Sequence, residues 1–163
     1  MNDSPVRIRA AAGERIAEEV TAFGRCSLET GGFLLAPRGN DTLSIVAFAG
    51  QAGIVRCRDL FQISERALGR LFEFADGHAL YAPVQFHSHR RGPFLSRTDK
   101  EHGLRAEGFT SAVVPRYAGP PHAVTAWGWW SFQEGDWAAV RPPSLVAGEI
   151  TVVEFDEDGA RVR

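Results

Sequence analysis

Cysteine occurs twice in 163 residues, at positions 26 and 57, which excludes both a disulfide framework and a CxxC zinc knuckle. Free cysteine is among the most buried residue types, so Cys26 and Cys57 are expected as buried thiols. A basic block is also missing: Lys plus Arg number 18 against 20 Asp plus Glu, a formal net charge of −2. Phosphate-backbone binding is therefore disfavoured, and no nucleic-acid partner is expected. No apolar run approaches the ~18 to 20 residues that span a bilayer. The opening MNDSPVRIRA carries no apolar stretch before a small-residue cleavage site. Together these point away from the membrane and towards the cytoplasm. No linker, low-complexity run or fixed-period repeat interrupts the chain, so one domain over 1–163 is expected. With 44% hydrophobic and 23% charged residues, the composition permits a packed core.

Periodicity supplies the elements. A strand is expected at Val6 to Arg9. Ala11 to Gly24 reads as an amphipathic helix, with Ile16, Val20 and Phe23 at i, i+4 and i+7 and a glycine at its end. Gly31 to Ala36 and Thr42 to Ala49 are β-rich runs joined by turn chemistry at Pro37 to Asp41, which predicts a hairpin. A short strand at Asp59 to Ile63 precedes Ser64, the N-cap of a second helix with the stripe Leu68, Leu71, Phe72 and Ala75. Tyr81 to His87 follows as a strand, then a Gly/Pro loop and a helix from Ser96 to about Glu107. Phe109 to Pro115, Val124 to Phe132, Trp137 to Val140 and Thr151 to Phe155 complete the strands. The expected class is α/β (α+β), a central mixed sheet flanked by helices.

The chemistry concentrates in Gln85-Phe-His87-Ser-His89-Arg-Arg-Gly-Pro-Phe-Leu-Ser96-Arg-Thr-Asp99. Two histidines at i and i+2 of a strand project from one face, so both imidazoles can reach one metal ion, and Asp99 on the next helix can add a third ligand. Three protein ligands leave a position for water, whose pKa a bound zinc lowers to about 7. Carboxylate and imidazole favour zinc over calcium or magnesium, with iron, cobalt and nickel left open. Ser96-x-x-Asp99 also reads as a capping pair, and a fixed helix start would present Asp99 reproducibly beside the histidines. Glu29, where the first helix gives way to a strand, is the candidate proton carrier, followed by glycines that allow close backbone approach.

Glu29-Thr-Gly-Gly before an apolar strand, then His87-x-His89, then Ser96-x-x-Asp99, resembles the JAMM metalloprotease family, the catalytic branch of the JAB/MPN domain. The resemblance runs from the helix before Glu29 to the Trp-rich strands near residue 130. It implies a JAB/MPN-like (cytidine-deaminase-like) sandwich of the prokaryotic stand-alone type. The implied activity is a zinc-dependent isopeptidase or peptidase acting on the C-terminal tail of a ubiquitin-like or sulfur-carrier-like protein. By that resemblance His87, His89 and Asp99 bind zinc, Glu29 is the general acid/base, and Ser96 donates to the oxyanion. The chain departs from the family pattern in the six-residue spacing between His89 and Ser96, one shorter than usual. Arg90 and Leu95 stand where prolines are common, and Ala36 where glycine is. A different loop path is expected there. The alternative is a non-catalytic interaction module of the same fold with a degenerate metal site. A zinc nucleobase deaminase would need HxE and PCxxC, and neither occurs.

The remaining candidates carry blander readings. His78, His102 and His122 are read as ordinary surface or core histidines, and Cys26 as a minor candidate for an inhibitory ligand. Trp127, Trp129, Trp130 and Trp137 are expected in the core, with Trp127 and Trp129 on one face and Trp130 on the other. Arg90 and Arg91 flank the motif, where they could steer an acidic partner.

Overall fold

A computed structural model describes residues 6–163. Strand β1 (Arg7–Arg9) leads into helix α1 (Ala10–Gly24), and β2 (Gly31–Pro37), β3 (Thr42–Leu43) and β4 (Ile45–Ala49) follow. A hairpin of β5 (Ile54–Cys57) and β6 (Leu60–Ile63) precedes α2 (Glu65–Gly77). Next come β7 (Leu80–Ser88), α3 (Arg97–His102), β8 (Thr110–Val114), β9 (Gly128–Gln133) and β10 (Asp136–Ala139). The chain closes with β11 (Ser144–Val146), β12 (Thr151–Asp156) and β13 (Gly159–Val162). The result is a mixed α/β structure, mostly sheet, and among the described residues no helix is long and apolar enough to cross a membrane.

Eight strands form the main sheet in the order β10-β9-β8-β7-β2-β4-β12-β13. The β7–β8 and β4–β12 pairs are parallel and the others antiparallel. Strand β2 lies inside the sheet, and its Phe33, Leu34, Leu35 and Ala36 are all fully buried, as expected of a strand covered on both faces. Alternate residues supply two cores. Leu34 and Ala36 join Ile16 and Val20 of α1, together with Val46, Phe48 and Phe86. Phe33 and Leu35 join Leu71 and Ala75 of α2, together with Val113 and Phe155. Helix α2 starts where Ser64 Oγ accepts the Ala67 N–H at 3.1 Å, the predicted cap.

Several sequence expectations need correction. The helix begun at Ser96 ends at His102 instead of about Glu107, because Gly103 leaves helical geometry and its N–H bonds Asp99 O. Residues Val124–Ala126 form a 3₁₀ turn before β9. Both cysteines are exposed: Cys26 sits in the turn after α1, and Cys57 falls on the outward side of β5, whose burial alternates. Trp127, Trp129 and Trp137 are buried. Trp127 stacks on Trp129 with centroids 6.1 Å apart in the α1-side core, while Trp130 packs on the α2-side core.

Candidate functional site

Strand β7 carries His87 at its end and His89 just beyond it. The backbone of His89 is fixed on both sides, its N–H bonding Val114 O at 2.9 Å and its carbonyl accepting the Tyr117 N–H at 3.0 Å. Both imidazoles are buried. Asp99 arrives from the first turn of α3 through a reciprocal cap, with Ser96 Oγ accepting the Asp99 N–H at 3.1 Å and Asp99 Oδ2 accepting the Ser96 N–H at 2.8 Å. The six-residue connection thus still delivers both Ser96 and Asp99 to the histidines.

Three ligand-type atoms converge. His87 Nε2 and His89 Nε2 are 3.0 Å apart, and Asp99 Oδ2 lies 3.2 Å from the first and 3.1 Å from the second. An imidazole nitrogen offers one in-plane hydrogen or one lone pair, so hydrogen bonds alone cannot satisfy all three edges of this triangle. One cation facing all three can. Ligands about 2.0 to 2.1 Å from a tetrahedral ion are about 3.3 Å from each other, close to the separations found. The group His87, His89 and Asp99 could therefore hold a metal ion. Cys26 is not part of that group, and His78, His102 and His122 are exposed residues outside it.

The electrostatics fit the same use. Burial works against ionisation of Asp99, but hydrogen bonds from His87 and His89, the His87 charge and the Ser96 bond hold its carboxyl far below the usual range. Burial likewise disfavours a charged His89. The hydrogen bond and charge of Asp99, the charge of Glu29 and a backbone hydrogen bond at Gly92 outweigh it and raise its pKa. Gly92 belongs to the loop between His89 and Ser96, so this loop helps to orient the His89 ring.

Glu29 is 6% exposed. Burial pushes its carboxyl up to about 7; His89 pulls it down, while Asp99 and Asp59 raise it further. A carboxyl in that range can both take and return a proton at neutral pH. Its position comes from two elements. The Glu29 N–H bonds Cys57 O at 2.9 Å. Thr30 is tied to Ser88, whose Oγ accepts the Thr30 N–H at 2.9 Å and whose N–H bonds Thr30 O at 2.8 Å. Arg56 donates to Thr30 Oγ1 at 3.0 Å and to the carbonyls of Ala49 and Gly50 at 2.6 Å each. Gly31 pairs with His87 across β2–β7, and a Cβ there would meet Phe86 O at 2.3 Å and the Phe61 ring at 2.7 Å.

Glu29, His89, Ser96 and Asp99 line one cavity of about 250 Å³ with Phe61 and Phe94. Phe94 is 56% exposed and sets its ring edge-on to His89, centroids 4.9 Å apart. All five predicted site residues are thus assembled: His87, His89 and Asp99 at one point, with Glu29 and Ser96 in the adjoining cavity. Sequence reasoning passed over Ser88 and Arg56. The only available signal for Ser88 was its place between the two histidines, facing the opposite way.

No model of a protein family matches this chain, and no curated protein sequence does. Among solved structures it is similar to the solution structure of protein DSY2949 from Desulfitobacterium hafniense. The TM-score is 0.61 at 13% identity, over 88% of this chain and 93% of that one. That is a likeness of fold.

Proposed function

We propose that this chain is a zinc-dependent isopeptidase or peptidase acting at the C-terminal tail of a ubiquitin-like or sulfur-carrier-like protein, on a JAB/MPN-like sandwich. The observation that carries the reading is the convergence of His87 Nε2, His89 Nε2 and Asp99 Oδ2 within 3.0 to 3.2 Å of one another, with Glu29 buried in the adjoining cavity. Two imidazoles and one carboxylate are a borderline donor set that suits zinc. The central mixed sheet with a helix on each face, and the order of the motifs along it, support the fold assignment.

A metal ion in this triad would supply an acidified water and polarise the scissile carbonyl. The protein's own groups do the rest. Near neutral pH Glu29 is present in both forms, and as the carboxylate it can take the proton of the attacking water and then give it to the departing amine. Ser96 Oγ accepts the Asp99 N–H at 3.1 Å and lines the same cavity, where its hydroxyl can donate to a developing oxyanion. Phe94 and Phe61 supply apolar wall to this cavity. The test is to incubate the zinc-loaded protein with ubiquitin-like proteins encoded nearby and follow the mass at their C-termini. Loss of a tail or adduct that requires Glu29 supports the reading, and unchanged masses oppose it.

A further inference from the structure

The mouth of the cavity carries charge that the catalytic groups do not use. Arg91 lines the cavity and its carbonyl accepts the Arg116 N–H at 2.8 Å, while the hydroxyl of the next residue, Tyr117, bonds Arg58 O at 3.4 Å, so the backbones of Arg58, Arg91 and Arg116 are tied to one neighbourhood beside the cavity. All three are exposed, and none forms an ion pair with a carboxylate among the described residues. Arg90, beside them on the cavity wall, has Asp59 at 3.4 Å. Arg116 also has φ +52°, a left-handed conformation that costs a bulky side chain and that glycine would adopt freely. Stability alone does not explain an unpaired arginine at that position.

We infer that Arg58, Arg91 and Arg116 form the docking rim for a protein substrate with an acidic body and an uncharged tail. The cavity behind the rim is lined by three carboxyl groups, Glu29, Asp59 and Asp99, against Arg90, which faces Asp59, and Arg91 of the rim itself. A polyphosphate threaded inwards would meet carboxylates, whereas a neutral peptide tail would not. An acidic polypeptide body on the rim with its tail in the cavity satisfies both layers, and rim charges of this kind act mainly on encounter and partner choice. This names the substrate class of the site proposed above and rests on that reading for the fate of the tail, though docking itself needs no metal.

The test is fluorescence anisotropy with the full metal-free chain and two labelled peptides of about 20 residues. One is Glu-rich, the other Lys-rich, and both end in Gly-Gly. The Glu-rich peptide should bind, with affinity falling about tenfold or more between low and moderate salt as screening shortens, and the Lys-rich peptide should not. Combining Arg58→Ala, Arg91→Ala and Arg116→Gly should weaken binding about tenfold or more. Arg116→Gly alone should weaken it at an unchanged or raised melting temperature, which separates lost charge from lost fold. Equal binding of both peptides, wild-type affinity in the triple variant, or displacement by a single-stranded oligothymidine at lower concentration than by the Glu-rich peptide would overturn the inference. Metal-free and zinc-loaded wild-type chains should bind the Glu-rich peptide equally well. If they do while the loaded chain cleaves nothing, the hydrolase reading fails and the docking rim stands.

Discussion

Ser88 and Thr30 hold each other through two short hydrogen bonds, Thr30 N–H to Ser88 Oγ at 2.9 Å and Ser88 N–H to Thr30 O at 2.8 Å. This clamp joins the strand that carries His87 to the residue next to Glu29, so it helps to set the distance between Glu29 and the group of His87, His89 and Asp99. Ser88→Ala leaves a buried Thr30 N–H without its acceptor, at a cost of about 1 to 3 kcal/mol. Thermal denaturation should show the loss. Turnover should fall further than stability explains, while the metal is retained. Wild-type turnover in a destabilised variant would reduce Ser88 to a structural residue.

Glu29→Gln should keep the metal and lose turnover, because Glu29 lies outside the ligand group. General acid–base residues contribute about 10² to 10⁴ in rate. Steady-state kinetics beside metal analysis decides the matter, and a variant that binds no zinc would make Glu29 a ligand.

The raised carboxyl of Glu29 also predicts how stability follows pH in the metal-free protein. The folded state binds this proton more tightly than the unfolded state, so the stabilisation is complete below the usual value of 4.5 and is lost as pH rises through about 7. Its size is on the order of 2 kcal/mol after allowance for screening. Asp99 works the other way: its depressed carboxyl adds stability above its ordinary range that disappears as pH falls. The difference between wild type and Glu29→Gln isolates Glu29. Urea melts at pH 4.5 and pH 8 should show that difference changing by this amount, with wild type losing more on the alkaline side. A constant difference would contradict the buried carboxyl.

Ser96 caps α3 and is the oxyanion donor of the proposed reaction, and substitution can separate the two. Ser96→Ala removes the cap, worth about 0.5 to 2 kcal/mol, together with the proposed donor, worth about 10² to 10³ in rate. Ser96→Thr keeps a hydroxyl for both. Rate recovery in the threonine variant is expected, and equal rates for alanine and wild type would remove Ser96 from the chemistry.

What the sequence disclosed follows from how local the signals were. Both long helices were legible because the Ile16-Val20 and Leu71-Ala75 spacings face one way, and Ser64 caps where a cap was read. The triad was legible because His87 and His89 share a strand face and the Ser96–Asp99 cap is short-range. Strand β5 was missed because Ile54–Cys57 is half-exposed and has only β6 for a partner. With it went the support of Glu29 by Cys57 O and by Arg56, contacts that bridge 26 to 28 positions of sequence. The exposure of both cysteines was equally hidden, since it depends on the turn after α1 and on the pairing of β5.

Metal stoichiometry tests the central claim most directly. Purified protein is loaded with zinc, dialysed, and analysed by mass spectrometry of the elements, in parallel with His87→Ala, His89→Ala and Asp99→Ala. The three-ligand site predicts one zinc per wild-type chain and little or none in each variant. A wild-type chain that retains no metal, or variants that retain as much as wild type, would contradict it.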